Sequence, residues 1–294
     1  MGALLGLAGA VCWGLADFAA RFSSRRVGAY RTLLYMQFFG CVALTAYLLA
    51  HGGFHYGVAP GWRPWGMAVA AGLVNMASSL ALYRSFEVGT MSIVAPVSSC
   101  YPALTAVLSF ASGERIGAVK AAGLAVTLAG VILAGTSFTR TKEGAAGGDG
   151  GKMRVTAAKG LIWAILAAVG FGFLFWFLGF YVVPAVGSSV SVWVMRLTAI
   201  AGMFLLAAPT RQSVRLPHGS VWWLLMAVGL MDTSAFVLNN AGLRIGPVSV
   251  VSVLASLYGA VTVVLSWIFL RERLEWSQWV GIAVLFAGIV MVNL

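Results

Sequence analysis

Apolar runs of about 20 residues recur along the chain, separated mostly by short polar connections. A helix of about 20 residues crosses the hydrocarbon core of a bilayer, so each run predicts a membrane-spanning helix. The predicted spans lie at about residues 2–21, 32–51, 65–84, 90–111, 117–137, 159–182, 188–208, 219–242, 247–270 and 276–294. The predicted fold class is an all-α integral membrane protein with ten transmembrane helices.

One stretch of the sequence occurs twice. Residues 89–130 match residues 246–288, first at a separation of 157 and, after one inserted residue, at 158. The matched pairs include Gly89/Gly246, Ser92/Ser249, Tyr101/Tyr258, Thr105/Thr262, Glu114/Glu272, Arg115/Arg273 and Gly130/Gly288. A repeat of this length indicates two copies of one structural unit.

The one long polar connection, residues 140–158, contains the run GAAGGDGGK and is typical of a flexible linker. It divides a first five-helix repeat, residues 1–139, from a second, residues 159–294. Because each repeat has an odd number of spans, the second enters the membrane from the opposite side. The sequence therefore predicts two inverted repeats around a central cavity, an architecture of many secondary transporters.

Composition agrees with a membrane protein. The 294 residues are 61% hydrophobic and 9% charged, whereas a soluble domain has about 25% charged residues. The net charge of +11 comes from basic residues in loops between apolar runs, which does not favour nucleic acid as a partner. Cys12, Cys41 and Cys100 show no metal or redox spacing, so we expect no metal and no cofactor.

Basic residues are distributed unequally between the two sets of loops. One set carries Arg21, Arg25, Arg26, Arg31, Arg84, Arg140, Lys142, Lys152, Arg154, Lys159, Arg211, Arg215, Arg271 and Arg273; the other carries Arg63, Arg115, Lys120 and Arg244. Since basic loops stay in the cytoplasm, the linker 140–158 is predicted to be cytoplasmic and both termini extracytoplasmic.

Several of these residues carry a family resemblance. The chain resembles the drug/metabolite transporter superfamily, in its ten-helix form with two EamA-like repeats, through Trp13-Gly14, Pro102, the GERI run at 113–116, and RERL at 271–274 with Gly281 and Gly288. The resemblance implies a central cavity lined mainly by the first, third, fourth, sixth, eighth and ninth spans. It also implies alternating access without ATP hydrolysis.

Asp232 is the first candidate for a functional residue, since it lies near the middle of the eighth span. An ionisable group at that depth faces the bundle interior or water and marks a functional site by default. Its repeat partner is Asn75 in the third span. Asp232 binds a cationic group, exchanges a proton, or forms a helix–helix hydrogen bond with no transport role; the sequence leaves all three open.

Aromatic side chains are candidates for the wall of the site. The repeat pairs Tyr101 with Tyr258, and the first and sixth spans contribute Trp13 and Trp163, together with Phe171 and Trp176. An aromatic pocket with one carboxylate suits an organic cation or a flat aromatic solute. The alternative for each ring alone is a lipid-facing or interfacial position.

Other polar residues extend the candidate site. Asn239 and Asn240 follow Asp232 on the eighth span, and Ser79 and Tyr83 follow Asn75 on the third. They line a polar track along the cavity or make interhelical hydrogen bonds.

Charged residues near these spans have structural alternatives. Arg196 lies inside the seventh span, and Gln37 lies at a similar place in the second span. Three roles are open for Arg196: it binds a substrate carboxylate, it pairs with an acidic residue, or its side chain extends to the membrane edge. Asp17 lies four residues before Arg21, the spacing of a helical ion pair. Glu114 and Glu272 lie in turns and are predicted to act on topology or gating rather than as ligands.

The sequence therefore predicts a secondary transporter, rather than an enzyme, for an amino acid or amine-like metabolite. We expect an exporter in the inner membrane, monomeric or homodimeric, with proton coupling as an option. The alternatives are a non-transporting sensor or assembly protein, and a transporter of a phosphorylated or nucleotide-sugar solute. The last needs several basic residues around the cavity, and only Arg196 is available in a span.

Overall fold

The computed structural model describes residues 1–53, 61–89, 91–135, 150–270 and 276–293, and every regular element in these ranges is helical. The helices are α1 (Gly2–Val27), α2 (Ala29–Ala50), α3 (Arg63–Val88), α4 (Met91–Ser98), α5 (Tyr101–Ala111), α6 (Ala118–Gly135), α7 (Gly150–Phe177), α8 (Val183–Val186), α9 (Ser188–Ala207), α10 (Val221–Ile245), α11 (Val248–Ala255), α12 (Tyr258–Leu270) and α13 (Trp276–Asn293). A π-helical turn at Leu178–Val182 joins α7 to α8. The predicted all-α class is confirmed.

Seven segments of the described chain are long and apolar enough to cross a membrane. They are Gly2–Val27, Ala29–Ala50, Arg63–Val88, Gly160–Val186, Ser188–Ala207, Val221–Ile245 and Val248–Phe269. The molecule is therefore a multi-pass membrane protein. The other predicted spans, at 90–111, 117–137 and 276–294, fall on shorter helices or reach residues outside the described ranges, so the count of ten stays a prediction.

Glycine ends the first helix of each half in the same way. Gly28 separates α1 from α2, and Gly187 separates α8 from α9; both have φ 88°. An L side chain rarely adopts this conformation, so glycine permits a tight reversal there. The π-helical turn before Pro184 carries the sixth span four residues beyond its predicted end at 182.

The fourth and ninth spans are each broken near their middle. Pro102 follows the break between α4 and α5, as proline does at the start of a helix. The break between α11 and α12, at Ser256 and Leu257, occurs without proline. Both spans are therefore interrupted at the same place in the repeat, although only the first has a proline there.

Packing between helices follows the repeat. The main contacts of α1 are with α10, and those of α7 are with α3. In the same manner α2 contacts α10 and α9 contacts α3, while α6 packs along α13. Each half therefore packs its first helix against the third helix of the other half, and this arrangement places an interface between the halves at the centre of the bundle.

The predicted linker lies partly outside the described residues. Residues 140–149 are not described, whereas α7 begins at Gly150. The last part of the linker is therefore the start of a helix. The turn that contains Glu272 and Arg273 also lies outside the described residues.

Candidate functional site

A small cavity lies where the two halves meet. Its wall comes from six helices, α1, α3, α5, α7, α10 and α12, and consists of Trp13, Asp17, Ser79, Leu82, Tyr83, Tyr101, Phe171, Phe175, Asp232, Phe236 and Tyr258. These helices belong to the same six spans that the family resemblance implies. Six predicted candidates line the cavity together: Trp13, Ser79, Tyr83, Tyr101, Asp232 and Tyr258.

Two glycines bring the tyrosine-bearing helices close to the cavity. A Cβ atom at Gly14 of α1 would lie 3.1 Å from the carbonyl oxygen of Tyr258. At Gly172 of α7 it would lie 2.8 Å from the carbonyl oxygen of Tyr101. Only glycine allows this approach without displacement. The glycines after Trp13 and Phe171 therefore set the positions of the paired tyrosines.

Hydrogen bonds repeat this arrangement in both halves. The hydroxyl of Thr262 donates to the carbonyl oxygen of Gly14 at 3.3 Å, and Thr105 donates to that of Gly172 at 2.9 Å. These repeat partners bind the broken spans to α1 and α7, as each hydroxyl satisfies a carbonyl that water cannot reach in the membrane.

The two tyrosines cross-link the halves. Their rings are stacked, with centroids 6.4 Å apart. Tyr101 donates its hydroxyl hydrogen to the carbonyl oxygen of Ser252 at 3.1 Å, and Tyr258 donates to the hydroxyl oxygen of Ser98 at 3.1 Å. Each hydroxyl thus reaches the broken span of the other half.

Asp232 is held by two donors from different helices. The indole Nε1 of Trp13 donates to Oδ1 at 3.0 Å. The guanidinium of Arg196 donates to Oδ2 at 2.5 Å and forms an ion pair with it. The charge of this carboxylate is therefore compensated inside the protein.

Arg196 has its own fixed surroundings. It is 1% exposed. Its second terminal nitrogen donates to the side-chain oxygen of Gln37 on α2, and its guanidinium lies 5.2 Å from the ring centre of Phe236. Of the three predicted roles, the structure favours pairing with an acid, and Arg196 is absent from the cavity wall.

Asp17 is the second carboxylate of the cavity. Its side chain is buried and lies about one turn after Trp13 on α1. Within the described chain it makes no ion pair with Arg21, in contrast to the sequence prediction, since it is turned toward the cavity. By contrast, Arg84 and Glu87, three residues apart on α3, form an ion pair at 2.9 Å.

Aromatic rings surround the two carboxylates. Trp13 meets Phe236 and Phe175 edge to face, with centroids 5.0 and 5.6 Å apart. Phe175 in turn lies 4.9 Å from Tyr101. The faces of such rings attract cations, so the lining suits a positively charged group.

Besides Arg196, four other predicted candidates lie outside the cavity wall. Asn75 is fully buried and neither polar atom of its side chain has a hydrogen-bond partner among the described residues. The same holds for Asn239, whereas Asn240 donates to the hydroxyl of Ser191 at 3.1 Å. Trp163 is 39% exposed. Trp163 lies about two turns before Phe171 on α7, too far along the helix to reach the cavity. It lines a separate pocket together with Arg31.

The site contains residues that sequence reasoning did not select. Asp17, Leu82, Phe175 and Phe236 line the cavity, and Phe171 had only a general aromatic role. The repeat offered a signal, since Asp17 and Phe175 occupy equivalent positions at a separation of 158. The sequence therefore shows an acidic residue, Asp17, where the other repeat has Phe175. The spacing of four residues between Asp17 and Arg21 nevertheless favoured an ion pair over a place in the cavity.

The cavity has a volume of about 30 Å³, enough for about two water molecules. Sites for small organic molecules are about 300–1,000 Å³. A substrate therefore enters only when the lining helices separate. No group of three or more His, Cys, Asp or Glu side chains suitable for a metal ion occurs in the described ranges.

The fold and the site define a class of protein: a multi-pass helical membrane protein built from two similar halves, with an aromatic, acidic cavity between them. A family model for the EamA-like transporter family matches residues 1–136 and 158–294. The chain therefore belongs to the EamA-like transporter family, within the drug/metabolite transporter superfamily, and the predicted resemblance is confirmed. Members of this family are transporters, not enzymes.

Solved structures support the fold. One crystal structure superposes with a TM-score of 0.76 at 18% sequence identity, covering 100% of this chain and 98% of the other. At this identity the likeness establishes the fold alone. A search of the curated proteins found no match.

Proposed function

We propose that the protein is a secondary active transporter that exports a small amine-like or amino-acid-like solute across the inner membrane. The observation that carries this proposal is the cavity between the halves, where Asp17 and Asp232 lie among seven aromatic side chains, three of them tyrosines. Substrate sites of secondary transporters occupy this place, near mid-membrane at the interface of the repeats.

Alternating access is the mechanism that fits this architecture. The cavity is too small for such a solute, and two inverted five-helix repeats would let it widen toward either side of the membrane in turn. The interrupted spans support this, because helix breaks next to the cavity let each half-helix move separately. Trp13, Tyr101 and Tyr258 would contact the substrate directly as the wall opens.

Transport of radiolabelled amines and amino acids into proteoliposomes, with and without a pH gradient, tests the proposal. We expect saturable uptake of at least one solute that a pH gradient accelerates. Empty liposomes and a protein with Tyr101→Ala and Tyr258→Ala together are the controls. Failure of the whole panel to bind or move, with the protein folded, would instead favour a sensor or assembly role.

The proposed orientation has an independent test. Gly148→Cys, in a background without Cys12, Cys41 and Cys100, should resist a membrane-impermeant maleimide added to intact cells. Labelling of position 148 from outside would reverse the proposed orientation.

A further inference from the structure

A second pocket lies at one end of the bundle, apart from the cavity between the halves. Its volume is about 500 Å³, which is within the range of sites for small organic molecules. The first turn of α2, the end of α3, one residue of α7, the end of α9 and the loop after α9 form its wall. The wall includes Arg31, Arg84, Glu87, Trp163, Leu206 and Gln212.

The pocket lies where four membrane-spanning segments end. The segments Ala29–Ala50 and Gly160–Val186 begin beside it, and Arg63–Val88 and Ser188–Ala207 end beside it. It is therefore at one boundary of the bilayer, at the depth of the lipid headgroups. Its wall also joins the two halves, because α2 and α3 belong to the first and α7 and α9 to the second.

Arg31 is held in the wall by the loop that follows α9. Its Nε donates to the carbonyl oxygen of Arg215 at 3.0 Å, and the hydroxyl of Tyr35 donates to that of Val214 at 2.8 Å. These bonds fix the guanidinium beside the pocket, while its two terminal nitrogens can still donate to a ligand. The first turn of α2 adds the partial positive charge of a helix N-terminus.

The charges of the wall do not cancel. Arg84 pairs with Glu87 at 2.9 Å, and Glu87 also accepts a hydrogen bond from the backbone N–H of Ala29 at 3.4 Å. This pair is neutral as a unit, so the wall keeps the one positive charge of Arg31. The loop beside it also carries the exposed Arg211. Guanidinium groups bind phosphate through strong, charge-assisted hydrogen bonds, so the pocket suits a phosphate anion.

The rest of the wall is apolar and reaches the surface. Leu206 is 41% exposed, and Trp163 on α7 is exposed to a similar extent. Tryptophan at a span end is typical of the interface between membrane and water. A phospholipid combines a phosphate at this depth with acyl chains that can lie against such side chains. Basic pockets between membrane helices bind the headgroups of anionic lipids in this way.

We propose that this pocket is a binding site for the headgroup of an anionic phospholipid, with its phosphate on the guanidinium of Arg31. The net negative charge of such a lipid matches the net positive charge of the wall. A zwitterionic headgroup brings its own cation, which Arg31 and the adjacent Arg211 repel. The bound lipid contacts helices of both halves and stabilises their packing at this end of the bundle. This site does not depend on the proposed transport function.

Thermal unfolding of the purified full chain in mixed micelles tests the site. A ligand that binds the folded protein raises the unfolding midpoint in a saturable manner. We expect this rise with dioleoylphosphatidylglycerol in a neutral detergent at about 0.15 M NaCl, which screens exposed charges. Dioleoylphosphatidylcholine, which has the same acyl chains, and soluble glycerol 3-phosphate should each leave the midpoint unchanged.

Three variants separate a built site from general attraction to a basic protein. Arg31→Gln should raise the half-saturating fraction of dioleoylphosphatidylglycerol about tenfold, since it removes the charged hydrogen-bond donor. Because Arg31 also holds the loop, each variant is compared with its own lipid-free midpoint. Gln212→Glu keeps the size of an exposed wall residue and should weaken binding by adding a negative charge. Arg244→Gln, which removes an exposed arginine at the other end of the bundle, should match the wild type.

Four outcomes would overturn the proposal. If dioleoylphosphatidylcholine stabilised the wild type equally, the headgroup charge would have no role, and if glycerol 3-phosphate did, the site would be one for a soluble phosphate ester. Wild-type binding by both Arg31→Gln and Gln212→Glu, or a loss in Arg244→Gln as large as in Arg31→Gln, would remove the pocket as the site. A wild type that anionic lipid does not stabilise would also reject it. None of these outcomes bears on solute uptake in proteoliposomes.

Discussion

The two halves of the molecule share their scaffold and differ in the chemistry that they bring to the cavity. Gly14 and Gly172 make the same close approach to the broken spans, and Tyr101 and Tyr258 cross between the halves in the same way. In contrast, Asp17 in the first half stands opposite Phe175 in the second. The two halves thus share their packing, and they differ in the side chains that they contribute to the cavity wall.

A second difference lies between the two carboxylates themselves. Asp232 belongs to the second half and is neutralised by Arg196, which also comes from that half. Asp17 belongs to the first half and has no such partner among the described residues. One acid is therefore part of a buried ion pair, and the other contributes its carboxylate to the cavity wall. Changes to the shared scaffold and to these unequal residues should accordingly have different effects.

The largest expected effect is on stability, from removing one partner of the buried ion pair. Arg196→Gln leaves the Asp232 carboxylate buried without its cation, which should cost about 3–5 kcal/mol of folding free energy. Adding Asp232→Asn should recover most of this loss, because both charges are then absent. Thermal unfolding in detergent measures both. A double variant no more stable than Arg196→Gln would show that Asp232 is not neutralised in the way described.

The next effect tests the symmetry of the scaffold. Gly14→Val and Gly172→Val each insert a side chain where a Cβ would already lie within 2.5 Å of the Val261 side chain or 2.8 Å of that of Leu104. Overpacking of this kind costs about 1–3 kcal/mol. We expect similar falls in unfolding midpoint for both variants, with Gly117→Ala as a control, because a Cβ atom there would have no heavy atom within 4 Å. A large loss in only one half would break the symmetric comparison.

A smaller effect is expected from the paired tyrosine hydroxyls. Tyr101→Phe and Tyr258→Phe each remove one hydrogen bond between the halves, worth about 1 kcal/mol. The two losses should be equal within the error of an unfolding measurement. Transport rates should change in both, since each bond must form and break as the halves move. A change in transport confined to Tyr258→Phe would instead indicate a direct substrate role for that hydroxyl.

The smallest effect concerns a helix terminus. The Glu114 carboxylate accepts hydrogen bonds from the backbone N–H and the hydroxyl of Ser249, at the start of α11. A negative charge at a helix N-terminus contributes about 0.5 kcal/mol, so Glu114→Gln should lower the unfolding midpoint slightly. The repeat predicts the same for Glu272→Gln. High salt should reduce the difference from the wild type, and a salt-independent loss would argue against a charge effect.

Sequence reasoning identified one acidic residue and two tyrosines of the site. Asp232, Tyr101 and Tyr258 were identified because depth in a span and position in a repeat can be read directly from the chain. The sequence did not identify Arg196 as the partner of Asp232, because it was equally compatible with three roles for Arg196. The orientation of Asp17 was missed, since a spacing of four residues describes contacts along one helix and not those across helices.

The sequence by itself determined the membrane environment, the helical class and the duplication, because these depend on hydrophobic length and on self-similarity. Only the tertiary structure decided which polar atoms meet. Neutralising Asp232 requires Arg196 from another helix, with Trp13 and Gln37 from the other half, and no pattern within one span specifies that encounter. The same packing leaves Asp17 facing the cavity with no ion pair to a described residue, because hydrophobic periodicity sets how a helix is buried but not which charges lie opposite it.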